Sequence, residues 1–293
     1  FQAASMFCCP CLSSIMYFVG LAAIATTLGR FVLSLCGCCC RKKPQAREKH
    51  WKKDVVYLYQ MHGTSTMPSV SPYCIKVEGF LRLHKIAFER RYVFAARGIN
   101  GKVPFIELNG EQVADSHLIL KRLAQHFSIK NANGYETAEE EAIGHALGRL
   151  ADNHLFFILV KSKLTEGAAT LVRALASHDL PPWLLTIITS LPLGFLLRGR
   201  TRAFGAFTDA EYNELLEEDL DAFKTQLGNK KFLFGENISE ADLALFGHYA
   251  AMLYLDVSCQ AVEVLRSEKY ATLRRHTERI RAQLFGVDFH DDH

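Results

Sequence analysis

The chain has 293 residues, 49% of them apolar, and a net charge of +3. That length allows about two domains, and the apolar content argues against a disordered protein. Arg41 to Lys53 holds seven Lys or Arg and one acid, so the chain from Asp54 onward carries −4. A mildly acidic body with one short basic segment argues against nucleic-acid binding, which spreads Lys and Arg over a folded face. Cysteine is equally uneven: seven of nine lie in the first forty residues, leaving Cys74 and Cys259 for the rest. A secreted disulfide scaffold distributes its cysteines through the fold, so the body reads as a reducing-compartment protein.

Leu12 to Leu35 is apolar except for Ser, Thr, Gly and Arg30. About 20 apolar residues span a bilayer as a helix, so residues 1–40 read as a Cys-rich membrane anchor, with Arg30 able to snorkel to the interface. A cleavable secretory signal is the rival; it needs basic residues before the apolar run, whereas here the basic cluster follows. The flank Arg41-Lys42-Lys43 and the linker 41–53 put the body in the cytosol by the positive-inside tendency. Cys36, Cys38, Cys39 and Cys40 beside those bases are candidate lipidation sites, since an acyl chain with a polybasic patch anchors firmly. Membrane-flanking cysteines are also common without modification, and their adjacency argues against zinc. The chain begins at Phe1, so the natural start lies earlier or at Met6.

Val55 to Tyr59 predicts a strand, and apolar spacing from Cys74 to His84 predicts a helix with one buried face. Phe88 to Phe94 and Val103 to Leu108 read as further strands. Asn109-Gly110 is a strong hairpin signal, leading into a fourth strand at Glu111 to Ala114. Asp115 or Ser116 then caps a helix reaching about Phe127. Thr137-Ala138-Glu139-Glu140 predicts a capping box and a helix to about Lys163, and Thr208 to Glu211 a second box on a helix stopping at Gly228. Leu180 to Leu197 is apolar but contains Pro181, Pro182 and Pro192; a buried helix and turn is preferred to a second membrane span or a membrane-surface contact. Ile238-Ser239-Glu240-Ala241-Asp242 predicts a third box, with Ile238 as half of a hydrophobic staple.

Val103-Pro104, the hairpin and Ala114-Asp115-Ser116 together resemble the N-terminal domain of glutathione transferases. The Phe232 to Asp242 segment resembles the capping element of their C-terminal domain. The resemblance covers about Asp54 to Phe285. It implies an α+β fold preceded by one transmembrane helix: a thioredoxin-like domain at 54–130, an all-helical domain at 135–285 and a tail at 286–293. It implies a cis proline at Pro104, with Val103, Pro104, Asp115 and Ser116 as glutathione-binding candidates. Ser239 and Asp242 are structural caps. Ser71-Pro72-Tyr73-Cys74 is similar to the glutaredoxin redox motif with Ser in the first cysteine's place. Ser71 is thus the catalytic candidate, able to orient a glutathione thiolate but not to exchange disulfides, and it reads equally as a plain helix cap. Glutathione is the expected co-substrate or ligand, without a prosthetic group or metal site; the polar tail His290-Asp291-Asp292-His293 reads as disordered.

The strand Val55 to Gln60, the Ser71 to Lys76 turn and Pro104 to Gly110 followed by Ala114 to Ser116 resemble the failed-axon-connections family. That family includes cadmium-responsive proteins of nematodes and is similar to the metaxins. Three readings follow: a binding or adaptor protein in axonal development or cadmium and stress response; an active glutathione transferase; and a metaxin-like import component of the mitochondrial outer membrane. The cysteine clusters favour a single-pass protein of plasma or endomembranes. The implied partners are the membrane, protein ligands and a second copy, since transferases commonly dimerise. Cadmium prefers soft thiolates, and the sequence leaves direct metal binding and glutathione-mediated handling both open.

Overall fold

The computed structural model describes residues 46–93, 98–165, 207–255, 257 and 259–290. The apolar segment Leu12–Leu35, the cysteines Cys36 to Cys40, the stretch Leu180–Leu197 and the last three residues lie outside them. Among the described residues no helix is long and apolar enough to cross a membrane.

The first half is a four-stranded sheet with helices. Strand β1 (Val56–Gln60) leads to α1 (Pro72–Leu83) and back to β2 (Phe88–Tyr92), which pairs parallel to β1. Strands β3 (Phe105–Leu108) and β4 (Glu111–Ala114) form an antiparallel hairpin, and α2 (Ser116–His126) follows. The sheet order is β2-β1-β3-β4, with β3 antiparallel to β1. The hairpin turns at Asn109 (φ 51°) and Gly110 (φ 80°), two left-handed positions that an Asn-Gly pair adopts at low cost. Alternation along the strands gives the sheet two faces. Val56, Leu58, Ile106 and Leu108 join the main core with α1, while Tyr57, Tyr59, Phe105 and Ala114 form a smaller aromatic cluster on the other face.

The second half is helical: α3 (Ala138–Arg149), a π-helical turn (Leu150–Leu155), α4 (Phe156–Thr165), α5 (Asp209–Leu227), α6 (Glu240–Leu253), α7 (Gln260–Arg266) and α8 (Ala271–Leu284). The spacing after Thr137 predicts one uninterrupted α-helix, and the chain instead widens into the π turn. Helical periodicity misses it because α-helix flanks it on both sides. The predicted box at Thr137 forms only in half. Thr137 Oγ1 accepts from Glu140 N, but Glu140 accepts from the Glu136 N–H and not from the cap residue.

Helix α6 joins the two halves. It is buried from Ala241 through Met252, mostly apolar with Asp242 and His248 as its buried polar members, and it packs on α1. A Cβ at Gly247 would come within 2.4 Å of the Pro72 carbonyl oxygen, so only glycine lets α6 approach the start of α1 this closely. The C-terminal segment then returns to the first half. Buried Glu78 holds Arg82 and Arg90, Arg90 donates to the carbonyls of Asp288 and His290, and Arg82 lies over Phe285.

Candidate functional site

Antiparallel pairing brings the sequence-predicted site residues to one end of the sheet. The C-terminal end of β1 adjoins the N-terminal end of β3, because Tyr59 pairs with Phe105. Phe105 pairs in turn with Ala114, so Val103-Pro104 lies beside Asp115-Ser116. The loop from β1 leads to Ser71 at that same end, tied back by Gln60 Nε2 donating to the Pro68 carbonyl at 3.4 Å. The Val103–Pro104 bond is cis, as the resemblance implies.

Asp115 is the N-cap of α2. It has φ 83°, a left-handed conformation that a non-glycine residue holds only under constraint and that recurs at ligand clamps. Its Oδ1 accepts from the N–H groups of His117 (3.1 Å) and Leu118 (3.2 Å). Asp115, and not Ser116, is therefore the cap, and those N–H groups are already engaged by a carboxylate of the chain itself. Ser116, nearly buried, is the first residue of the helix.

Ser71 occupies the N-cap of α1 yet makes no side-chain capping bond. The plain-cap reading is corrected: Ser71 is 8% exposed, and its hydroxyl caps none of the helix N–H groups. Burial pushes the Cys74 thiol up to about 11, against donors from Ser71, the Met61 backbone and Ser69 that favour the thiolate. At neutral pH Cys74 is an inert, protonated thiol. The Ser71 carbonyl accepts from Cys74 N and Ile75 N, which leaves the hydroxyl as the group not used by the helix.

Ser239 behaves in the opposite way. Its Oγ accepts from Asp242 N at 3.2 Å, and Asp242 Oδ2 accepts from Ser239 N at 2.9 Å, a complete capping box. Asp242 also accepts from Leu233 N at 2.8 Å and pairs with His276 at 2.6 Å, every member fully buried. Ile238 and Leu243 are buried in the same core, as a staple requires. Among the described residues no cluster of His, Cys, Asp or Glu could hold a metal ion.

An ionic network beneath the site was not foreseen. Lys76 on α1, 2% exposed, bonds Asp152 of the π turn at 2.8 Å and lies 3.5 Å from Glu240. His248 on α6 reaches Asp152 at 3.2 Å, and His117, next to Ser116, reaches Glu240 at 2.9 Å. Tyr73 donates to the Asp152 carbonyl. Burial raises Asp152, but the His248 hydrogen bond and the Lys76 charge outweigh it and hold the carboxyl well below its usual range. Burial lowers His248, which stays neutral against the pull of Asp152. Lys163 on α4 donates to the carbonyl of Val70, just before Ser71, at 3.4 Å; burial lowers its amine to about 7, against the pull of Cys259. No local motif marks these residues; a buried Lys one turn past the Ser71 turn is the nearest thing to a signal.

The arrangement is a cis-proline peptide seat beside a serine at a helix start, on a thioredoxin-like sheet backed by helices: the architecture of glutathione transferases. Residues 72–166 match the glutathione S-transferase N-terminal domain family, and residues 216–280 the glutathione S-transferase C-terminal domain family. The Failed axon connections protein of Drosophila melanogaster is 28% identical over 258 residues, covering 83% of this chain and 61% of that protein. The chain thus spans less than two thirds of that relative. Among solved structures, the glutathione transferase GSTFuA3 of Phanerochaete chrysosporium shares the fold at a TM-score of 0.56 and 15% identity, covering 79% of this chain and 98% of that one. A glutathione S-transferase of Methylobacterium radiotolerans, in complex with glutathione sulfonate, has a TM-score of 0.53 at 16% identity, with coverages of 81% and 95%. The chain thus carries matches to both glutathione S-transferase domains and is similar to the Failed axon connections protein.

Proposed function

We propose that the chain is a membrane-anchored binding or adaptor protein that keeps the transferase fold, its body facing the cytosol from the plasma membrane or an endomembrane. In this reading it acts in axonal development or in a cadmium or stress response. Its partners are the bilayer, a protein ligand and a second copy of itself. The observation that carries the reading is the start of α2: the His117 and Leu118 N–H groups, which a helix N-terminus would offer to a ligand carboxylate, are already taken by Asp115 Oδ1. Ser71, 8% exposed, is itself nearly closed off. The full-length chain, titrated calorimetrically with glutathione and assayed with an aryl halide electrophile, is expected to conjugate no faster than the uncatalysed reaction. Turnover that disappears in Ser71→Ala would overturn this reading.

One observation favours an active transferase as the second reading. Ser71, Val103-Pro104 and Asp115-Ser116 converge at one end of the sheet, and the constrained backbone of Asp115 is the kind retained at ligand clamps. The Ser71 hydroxyl, which caps no helix N–H, is the group that such a role would use. Saturable glutathione binding abolished by Asp115→Ala with Ser116→Ala supports this second reading only if conjugation accompanies it.

A further inference from the structure

The basic segment before β1 is a folded strap laid across the outer face of the sheet. Glu107, in the middle of β3 and 1% exposed, accepts from Arg47 N at 2.8 Å and from Glu48 N at 2.9 Å, one on each carboxylate oxygen. Tyr59 and Gln112 donate to the same carboxylate, both at 3.2 Å. The Arg47 guanidinium lies 5.2 Å from the Phe105 ring centre, and Glu48 pairs with Arg91. Lys52 N donates to the Tyr57 hydroxyl at 2.9 Å, and its amine meets Glu89. Three backbone N–H bonds and three side-chain contacts along six residues hold the strap.

What the strap shows to solvent is distinctive. Arg47, Lys49, His50, Lys52 and Lys53 are exposed, whereas Glu48 and Glu89 are partly buried and ion-paired. Among these bases stands Trp51, 43% exposed. Its indole nitrogen rests on the Asn109-Gly110 turn, where a Cβ at Gly110 would come within 3.0 Å of it. A half-exposed tryptophan held on a turn among lysines has the chemistry of the membrane–water interface, where amphipathic rings sit at headgroup level and Lys and Arg are attracted to anionic lipid.

We propose that this strap is a membrane contact carried by the folded body itself: a patch for anionic phospholipid headgroups, with Trp51 at the interface and Lys49, Lys52 and Lys53 over the phosphates. The proposal rests on the membrane-anchored reading for its nearby bilayer, and on the strap geometry for the contact. The test uses the full chain with Trp183→Phe, which leaves Trp51 as the sole tryptophan. It is reconstituted with phosphatidylcholine alone or with added phosphatidylserine. Trp51 emission should shift to the blue with phosphatidylserine, and its quenching by iodide should fall roughly twofold, as for a ring entering the interface. Lys49→Glu with Lys53→Glu, both exposed and outside the core, should abolish the phosphatidylserine dependence. Alkaline carbonate extraction reads the anchor separately. A chain that is extracted yet keeps the Trp51 response loses its anchor and keeps the strap contact. Identical Trp51 emission and iodide quenching in the two bilayers overturns the strap contact, whatever the extraction shows.

Discussion

Ser71 and Ser239 are both serines at the N-caps of helices that pack on each other, and their side chains do opposite things. Ser239 closes a reciprocal box with Asp242, inside a fully buried set that includes Leu233 N and His276. Ser71 leaves its helix uncapped at the side-chain level. Pro72 at the first helical position has no N–H to leave unpaired, and the Cys74 N–H at the third bonds the Ser71 carbonyl, which lessens the need for a capping hydroxyl there. One serine is committed to stability, and the other's hydroxyl is not used by its helix.

The strongest way to break this contrast is Asp242→Ala, which strips the acceptor from Leu233 N, Ser239 N and buried His276. A loss of about 3–5 kcal/mol is expected in urea unfolding, the range for removing one partner of a buried pair. Gly247→Ala links the two sites, because α6 carries the Ser239 box at its start and presses on Pro72 further along. It should cost about 1–3 kcal/mol by overpacking and shift the amide resonances of the Ser71 turn. Ser239→Ala should cost about 0.5–2 kcal/mol, the loss of one cap; a fully stable variant would remove Ser239 from the structural role.

Acid should expose a further difference. Burial lowers the His248 pKa below the ordinary 6.5, so the unfolded chain takes up a proton that the folded chain refuses. Stability is then complete above that value and declines as pH falls below it. The thermal midpoint should drop between pH 7 and pH 5, and His248→Gln should flatten that slope. Smallest is Ser71→Ala, expected to change stability by less than about 1 kcal/mol in the same urea assay, because the hydroxyl caps no helix N–H.

The sequence by itself determined the local architecture. The caps at Thr208 and Ser239, the Asn109-Gly110 turn and the strand and helix order are set by hydrogen bonds and sterics within three or four residues, and these read directly from spacing. The cis proline and the Asp115-Ser116 corner were legible through family resemblance rather than through pattern. Tertiary structure alone decided the rest. Alternation places Glu107 on a face that looks solvent-bound, and only the return of the strap, 60 residues earlier in the chain, turns it into a buried acceptor. The Lys76–Asp152 and His248–Asp152 contacts join residues 76 and 96 apart. Such pairings follow from how packed elements meet, and no short-range period encodes them. The same holds for Ser71, whose residue type fits both a cap and a ligand seat, and whose hydroxyl the folded helix leaves out of its cap.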